Sequence, residues 1–410
     1  MSEWKETEFG LVPDNWETVT VGDLVEQNIL EKPMDGNHGN IHPKGSDFIT
    51  TGIPFVMASD INNGKLDITN CSFISEKLAR TLQKGFSIQG DVLLTHKASL
   101  GRTAIVGKID TPFIMLTPQV TYYRIKKENK LDRYFLKYFF DCPSFQAILE
   151  NHGNSGSTRA YVGITAQREL PILLPPIIDQ KTIASILSSL DDKIDLLHHQ
   201  NATLEKMAET LFRQSFVEEA KEEWEDGNIY NFIDVVYGFP FKSKYFNEEQ
   251  KGLPLIRIRD LKDGYSNIYT DEECDDKFII HNGDLVAGMD GEFRLYIWSG
   301  VKSVLNQRAC KFVPKYDYVP KFYVFSIMKP HLHYYENTKV GTTVIHLGKS
   351  DIDDIKISIP PKELLVKYGN ITDKWFDKIK NNNNQIRTLT TLRDTLLPKL
   401  MSGEVRVAAD

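Results

Sequence analysis

Several residues of this chain are of types found in catalytic and cofactor-binding sites, but none stands at the spacing that a known reaction needs. Gly348-Lys349-Ser350 resembles the end of a phosphate-binding loop, yet Gly341 lies seven positions upstream of Gly348, where that loop requires five. The sequence contains no Gly-x-Gly-x-x-Gly after a strand, no His-Glu-x-x-His and no Gly-x-Ser-x-Gly. Closely spaced histidine pairs lack a third metal ligand. We therefore predict that the chain is not an enzyme and binds no metal or cofactor itself.

A second group of polar residues has the chemistry to read the edges of DNA bases. Gln119, Asn306, Gln307 and Arg308 are of this kind, and a loop of small polar residues runs from 154 to 159. Arginine can donate two hydrogen bonds to guanine, and asparagine or glutamine can pair with adenine in the same two-bond manner. The same residue types also occur in ordinary turns, so nearby charge has to decide between the two interpretations.

The net charge of −7 argues at first sight against a DNA-binding protein. However, residues 216–226 carry six acids and one lysine, a net of −5, which leaves −2 for the rest of the chain. Residues 92–127 hold six basic residues and one acid, and residues 294–315 hold five basic residues and no acid, so both have a net charge of +5. A charge run alone is usually a solvated surface, but its recurrence favours contact with DNA phosphates. The predicted DNA-binding residues are Lys97, Arg102, Gln119, Ser157, Thr158, Arg159, Arg257, Arg259, Arg294, Gln307, Arg308, Thr342 and Thr343.

The two basic stretches belong to an internal repeat. The matched segments are Gly52-Ile53-Pro54 with Gly252-Leu253-Pro254, Gly90-Asp91-Val92 with Gly283-Asp284-Leu285, Gln119 more loosely with Gln307, and Gly156-Ser157-Thr158 with Gly341-Thr342-Thr343. By subtraction, the separation falls from 200 through 193 and 188 to 185, and it then stays at 185. A falling separation indicates short deletions in the second copy, which surface loops tolerate. The sequence therefore predicts a tandem duplication.

Each copy begins with strands and ends with a long helix. Short apolar runs bounded by turn residues predict strands at 53–57, 92–95, 103–106 and 120–125, and in the second copy at 255–258, 285–287, 311–313 and 355–359. After each Pro-Pro pair the apolar spacing becomes that of a heptad seam, from about 183 to 216 in the first copy and from Ile371 onward in the second. The predicted helix-pairing residues are Leu187, Leu190, Ile194, Leu197, Ile379, Ile386 and Leu389.

Asn201 and Asn382 fall on the same predicted seam. A polar residue there commonly fixes the register of paired helices. The alternative is that both asparagines face solvent.

Two similar units can be related by a pseudo-two-fold axis, which would set the two long helices antiparallel. We therefore predict an α+β fold, in which two mixed α/β, strand-rich domains are separated by two long antiparallel coiled-coil helices. The predicted boundaries are 1–178 for the first strand-rich domain, 179–217 for the first helix, 218–362 for the second domain, and 363–410 for the second helix and tail. Because no signal peptide and no run of eighteen apolar residues is present, we expect a cytoplasmic protein without a membrane partner.

Several motifs occur along the chain in a fixed order. They are Gly-Ile-Pro-Phe-Val at 52–56, Gly-Asp-Val-Leu-Leu at 90–94, Leu-Pro-Ile-Leu-Leu-Pro-Pro at 170–176 and Leu-Leu-Pro-Lys-Leu-Met-Ser-Gly-Glu at 396–404. This order closely resembles the specificity subunit of type I restriction-modification enzymes. The resemblance implies two target-recognition domains, each of which reads one half of a bipartite, asymmetric site in double-stranded DNA. It also implies partners, namely two methyltransferase subunits that carry S-adenosylmethionine, and restriction subunits that use ATP and Mg²⁺.

Two other classes of protein stay open at this point. A coiled-coil interaction scaffold without DNA specificity would share the long helices, but it has no need of repeated basic stretches. An enzyme that acts on DNA would need a nuclease or methyltransferase module, for which the length leaves no room.

Overall fold

The computed structural model describes residues 4–153, 160–338 and 345–406 of the chain. The chain divides into two compact units. The first comprises the residues up to Asp192 together with those from Thr391 onward, and the second is Lys193–Thr390.

The first unit is built from short strands and helices. Its strands are β1 (Trp4–Thr7), β2 (Gly10–Pro13), β3 (Glu17–Thr20), β4 (Met34–Asp35), β5 (Phe48–Ile49), β6 (Ile53–Val56), β7 (Ile61–Asn62), β8 (Lys65–Leu66), β9 (Ser72–Ile74), β10 (Phe86–Ser87), β11 (Val92–Thr95), β12 (Thr103–Ile105), β13 (Ile114–Leu116), β14 (Val120–Tyr123) and β15 (Pro171–Leu174). Its helices are α1 (Val21–Glu26), α2 (Glu76–Ala79), α3 (Arg133–Asp141), α4 (Pro143–Gly153), α5 (Ile164–Gln167) and the start of α6 (Ile177–Arg213).

The second unit contains the same kinds of element. Its strands are β16 (Glu225–Asn228), β17 (Ile233–Tyr237), β18 (Phe246–Asn247), β19 (Leu253–Ile256), β20 (Tyr269–Thr270), β21 (Ile279–Ile280), β22 (Leu285–Gly288), β23 (Leu295–Ile297), β24 (Ser303–Leu305), β25 (Ala309–Pro314) and β26 (Lys356–Ile359). Its helices are the remainder of α6, α7 (Ile258–Leu261), α8 (Lys321–Thr338), α9 (Lys349–Asp353) and most of α10 (Lys362–Met401).

The strand order is the same in both units. In the first unit a five-stranded sheet runs β10-β13-β6-β9-β5 and a four-stranded sheet runs β12-β11-β14-β4. In the second unit the corresponding sheets run β21-β24-β19-β20-β18 and β23-β22-β25-β17. Strand β6 pairs in parallel with β13, and β19 pairs in parallel with β24. The predicted tandem repeat of strand-rich domains is therefore confirmed.

A glycine allows the same close backbone approach in both units. A Cβ atom on Gly36 would overlap the carbonyl oxygen of Leu116, and a Cβ atom on Gly238 would overlap the carbonyl oxygen of Asn306. Only glycine fits where two backbones approach so closely. The pair at 36 and 238 is thus a further match between the copies, visible in the structure but not in the sequence motifs.

The core of the first unit combines residues from the first and last parts of the described chain. Helix α3 begins at the cap Asp132, whose carboxylate accepts hydrogen bonds from the backbone N–H groups of Tyr134 and Phe135, both at 2.9 Å. Its buried aromatic side chains pack in one core with strands β11 and β14 and with the start of α6. Trp16 and Leu400 lie in that same core. The last turns of α10 therefore complete the first unit.

The first long helix starts six residues earlier than its heptad pattern predicts. It begins at Ile177, and the fully buried Gln180 fixes this start. Its side-chain oxygen accepts from the backbone N–H of Asp132 at 2.9 Å, and its side-chain nitrogen donates to the carbonyl oxygens of Lys130 and Pro175 at 3.0 and 2.8 Å. A buried polar residue interrupts an apolar pattern, so the sequence does not reveal this turn of helix.

The two long helices run antiparallel in the second unit. The hydroxyl of Tyr368 donates to the carbonyl oxygen of Ala208 at 3.0 Å, and the side-chain nitrogen of Asn382 donates to the side-chain oxygen of Asn201 at 2.8 Å. The higher residue number in α6 is thus paired with the lower residue number in α10, which is the pattern of antiparallel helices. Asn382 is fully buried and Asn201 is 8% exposed, so these residues lie on the helix seam and do not face solvent.

The two long helices also contact each other in the first unit. Arg393 of α10 contacts Asp191 of α6 at 2.8 Å between Nη1 and Oδ1. The other carboxylate oxygen of Asp191 accepts a hydrogen bond from the hydroxyl of Tyr138 at 2.7 Å. An ion pair anchored to α3 therefore joins the two helices where they cover the first domain.

The side chains that were predicted to pair the helices are buried to different degrees. Leu187, Ile194, Leu197 and Ile379 are buried, whereas Leu190, Ile386 and Leu389 are half-buried. The seam of α10 does not begin at Ile371, which is 41% exposed. Tyr368 and Thr372 are buried instead, so the buried face of α10 includes polar residues that an apolar pattern does not reveal.

Across the three described ranges, no helix combines the length and hydrophobicity that a membrane crossing requires. Within the same ranges, no cluster of histidine, cysteine and carboxylate side chains forms a metal site.

Candidate nucleic-acid interface

A tight turn links β11 to β12 in the first unit and carries Lys97 and Arg102. The backbone N–H and carbonyl of Thr95 bond to the carbonyl of Arg102 and the N–H of Gly101, at 2.8 and 2.9 Å. The hydroxyl of Thr95 accepts from the N–H of Arg102 at 2.9 Å and donates to the carbonyl of Ser99. The turn is therefore held by its own hydrogen bonds.

Three polar residues come together at this turn. The N–H of His96 donates to the carbonyl of Gln119 at 2.9 Å, which places the start of β14 beside the turn. On the other side, Lys97 forms an antiparallel bridge with Tyr161, and the N–H of Val162 donates to the carbonyl of His96 at 3.0 Å. The Lys97 ammonium lies 5.6 Å from the centre of the Tyr161 ring, and both side chains are exposed. Lys97, Gln119 and Tyr161 thus line one edge of the domain.

His96 lies behind this edge and is fully buried. Its Nδ1 is 3.0 Å from the carbonyl oxygen of Val162, so we assign the ring proton to Nδ1. Burial lowers the pKa of His96 to about 4, against the partial opposing effect of Asp35, whose carboxylate lies 4.0 Å from Nε2. His96 is therefore neutral at pH 7.

The second unit builds the same edge with different side chains. The N–H of Met289 donates to the carbonyl of Arg308 at 2.9 Å, and the N–H of Leu347 donates to the carbonyl of Met289 at 2.8 Å. Asp290 forms an antiparallel bridge with His346. The Asp290 carboxylate contacts Nη1 of Arg308 at 3.3 Å and Nδ1 of His346 at 2.5 Å. Asp290, Arg308 and His346 therefore stand where the first unit has Lys97, Gln119 and Tyr161.

This correspondence corrects one match of the sequence analysis. The predicted partner of Gln119 was Gln307, at a separation of 188. Phe55 and Leu255 are equivalent residues at the separation of 200. In the parallel ladders Met115 lies opposite Phe55 and Val304 lies opposite Leu255, so Met115 is equivalent to Val304 and the separation here is 189. Gln119 is therefore equivalent to Arg308. Gln307 is an exposed neighbour whose backbone N–H bonds to the side chain of Asn306 at 2.8 Å.

Two of the predicted DNA-binding arginines make contacts within their own domain. Nη1 of Arg102 donates to the carbonyls of Ala58 and Ile61 at 3.3 and 3.2 Å and to the side-chain oxygen of Asn62 at 2.9 Å. Arg257 bonds to the carboxylate of Asp260, with Nε at 2.9 Å. Both guanidinium groups therefore have a structural role in these positions.

The remaining predicted residues are exposed or lie outside the described ranges. Arg259 is exposed at the end of a short helix, and Arg294 is exposed with Nε 3.8 Å from the carboxylate of Glu336. Five predicted residues, Ser157, Thr158, Arg159, Thr342 and Thr343, lie outside the described residues.

Two basic residues of the charged stretches point into the protein. Lys311 is 9% exposed, and its ammonium donates to the carbonyl of Ile279 at 2.8 Å; burial lowers its pKa. Arg124 pairs with the carboxylates of Asp91 at 2.8 Å and Glu31 at 3.3 Å. The net charge of +5 in each stretch therefore overstates the positive charge that DNA can reach.

Comparison with known proteins identifies the family of this chain. A family model for the type I restriction modification DNA specificity domain matches the chain twice, over residues 13–206 and residues 221–391. The chain belongs to this family.

Several type I specificity subunits are similar to this chain. The type I restriction enzyme MjaIX specificity subunit of Methanocaldococcus jannaschii is 25% identical over 99% of this chain and 97% of its own length. The type I restriction enzyme EcoBI specificity subunit of Escherichia coli is 31% identical, over 42% of this chain and 37% of its own. The crystal structure of a type I restriction-modification S subunit from M. genitalium has the same fold, with a TM-score of 0.55 over 97% of each chain and 17% identity.

The family membership confirms the prediction of a type I specificity subunit, a DNA-recognition subunit with no catalytic role of its own. Each of the two family matches covers one strand-rich domain, so the specificity domain is present twice.

Sequence reasoning missed three of the six residues at the two specificity-domain edges. Tyr161, Asp290 and His346 carry no motif, and each stands far along the chain from its partner, as Lys97 does from Tyr161. The available signal was the fixed separation of 185, which matches Tyr161 with His346.

Proposed function

We propose that this chain recognises a bipartite, asymmetric site in double-stranded DNA, and that each specificity domain reads one half-site. The observation that carries the proposal is the repeated edge. Both domains hold it with the same backbone hydrogen bonds, but the side chains are Lys97, Gln119 and Tyr161 in one and Asp290, Arg308 and His346 in the other. Two copies of one backbone arrangement that carry different polar side chains suit the recognition of two different DNA sequences.

In this proposal different residues position the domains on DNA and read its bases. Exposed cations such as Lys97 and Arg259 contact phosphates, which sets the position of each domain on the duplex without reading its sequence. The other side chains of the two edges then contact bases in the groove. The acidic segment at 216–226 lies outside both predicted basic stretches, so the overall charge of −7 is compatible with DNA binding.

We also propose that the long helices dock two methyltransferase subunits and that restriction subunits join the complex in the cytoplasm. A duplicated helix offers a similar surface twice, which suits two copies of one partner. The partner subunits would bind S-adenosylmethionine, ATP and Mg²⁺, while this chain supplies the position on DNA.

The test is DNA binding by the complex of this chain with its methyltransferase subunits. Duplexes enriched from a randomised pool are compared with a random duplex at several salt concentrations, and methyltransferase subunits alone serve as the control. We expect specific binding tighter by on the order of 1,000-fold or more. We also expect the logarithm of the binding constant to fall linearly with the logarithm of salt concentration. Equal affinity for both duplexes at moderate salt would contradict the proposal.

A further inference from the structure

Gln119 and Arg308 occupy the same backbone position in the two specificity domains. In each domain this residue follows the crossing from one sheet to the other and immediately precedes a central strand, β14 or β25. Its carbonyl oxygen accepts a hydrogen bond from the backbone N–H of the first residue of the turn, which is His96 or Met289, at 2.9 Å in both domains. The two side chains are therefore attached at equivalent positions of the same backbone arrangement.

The surroundings of the two side chains differ in charge. Arg308 is 59% exposed, and one of its terminal nitrogens is 3.3 Å from the carboxylate of Asp290, which in turn contacts His346. Gln119 is half-buried beside the exposed Lys97, and within the described ranges its amide makes no hydrogen bond to the protein. One domain thus offers an oriented guanidinium, and the other offers an amide.

The carboxylate beside Arg308 argues against a phosphate contact. A negative charge at 3.3 Å opposes the approach of a phosphate, and the Asp290–Arg308 pair attracts DNA little at long range. The same carboxylate limits the rotation of the guanidinium and leaves further N–H donors to point outward. A guanidinium held in this way can donate to O6 and N7 of guanine, and a glutamine amide can pair with N6 and N7 of adenine.

We propose that Arg308 reads a guanine in the half-site of the second specificity domain and that Gln119 reads an adenine at the corresponding place in the other half-site. Asp290 is a positioning residue for Arg308, and His346 holds Asp290. The inference rests on the proposed function and adds to it which side chain reads which base.

The experiment uses the full chain in complex with its methyltransferase subunits. DNA randomised across both half-sites is selected by the wild-type complex and by the Arg308→Gln, Arg308→Lys and Asp290→Asn variants, and the enriched pools are sequenced. Lys251→Gln, at an exposed lysine of the same domain, is the matched control. Binding to the wild-type site is then measured at several salt concentrations, together with the melting temperature of each variant.

We expect the variants to differ in the bases that they select. Wild-type selection yields a guanine in one half-site and an adenine at the corresponding place in the other. Arg308→Gln changes the preference at that guanine towards adenine and weakens binding to the original site by about 5- to 150-fold, the equivalent of one good bidentate pair. Arg308→Lys keeps the charge but loses discrimination at that one position, and Asp290→Asn reduces it by a smaller factor. The salt slope is unchanged in all of them, and Lys251→Gln behaves as wild type.

Two results would overturn the inference. One is that Arg308→Gln weakens binding equally for all sequences and lowers the salt slope by about one, which marks a phosphate contact. The other is that the Arg308 variants, while still folded, select the wild-type site with unchanged base ratios. If the wild-type complex enriches no site at all, the proposed function itself fails, so the two failures are distinguishable.

Discussion

At the scale of single residues, Lys97 and Arg102 have similar charge but different roles. Both lie in one basic stretch and both were predicted to bind DNA, yet only Arg102 makes three hydrogen bonds to the protein through one nitrogen. Charge and spacing cannot separate the two residues, because the groups that Arg102 contacts lie some forty positions earlier in the chain.

The two roles predict opposite effects of substitution. Arg102→Gln removes hydrogen bonds to the turn at Ile61 and should lower the free energy of unfolding of the first unit by about 1 to 3 kcal/mol. Lys97→Gln should leave stability within about 0.5 kcal/mol and lower the salt slope of DNA binding by about one. Urea unfolding and salt-dependent binding of the two variants measure both effects. Equal stability loss in the two variants would contradict this assignment.

His96 should make the stability of the first unit depend on pH. The unfolded chain takes up a proton as the pH falls below about 6.5, whereas the folded domain takes it up only near the pKa of about 4. The unfolded state therefore binds more protons in this interval, and the free energy of unfolding falls by up to about 3 kcal/mol as pH drops from 6.5 to 4.

The second copy supplies the control, since Met289 stands at the position of His96. His96→Met should unfold at urea concentrations that depend less on pH than those of the wild type over this interval. An identical pH dependence in both proteins would show that His96 is not the group responsible.

At the scale of elements, equivalent positions of the two long helices carry asparagine in one copy and an apolar residue in the other. Asn201 and Asn382 bond to each other, and at the separation of 185 their equivalents in the other copy are Ile386 and Leu197. Loss of one asparagine breaks this bond, although Asn201 can still donate to Asn383 at 2.8 Å and Asn382 to Gln200 at 3.4 Å, so we expect a cost of about 1 kcal/mol. Replacement of both by apolar groups of similar shape can be nearly neutral.

We therefore expect Asn201→Leu and Asn382→Leu each to destabilise the helix pair, and the double variant to recover most of the loss. Asn381→Leu, at an exposed neighbour, is the matched control and should change the free energy of unfolding by less than about 0.5 kcal/mol. A double-mutant cycle by urea unfolding gives the coupling energy. Additive losses in the double variant would mean that the two amides do not depend on each other.

The elements themselves were largely predictable, because strand and helix patterns are local. The strand predicted at 92–95 is β11 (Val92–Thr95), and the long helices follow both Pro-Pro pairs. The match of Gln119 with Arg308 was not predictable, since it depends on which residues face each other across a ladder. The inward direction of Lys311 was also hidden, because a count of charges does not show where a side chain points.

At the scale of the whole molecule, the chain consists of two specificity domains with one strand order and two different polar edges. The tandem duplication could be predicted from the sequence, because many short segments of the two copies match in the same order along the chain. The set of polar side chains at each edge could not be predicted, because each edge joins residues such as Asp290 and His346 that are distant in sequence.

The most direct test of the central claim is to sequence the methylated bases of the host genome with this chain intact and with it deleted. We predict that one bipartite motif, with different sequences in its two halves, is methylated in the intact strain and unmethylated in the deletion strain. A methylation pattern that is the same in both strains, although the methyltransferase partners are expressed, would contradict the claim that this chain determines the target.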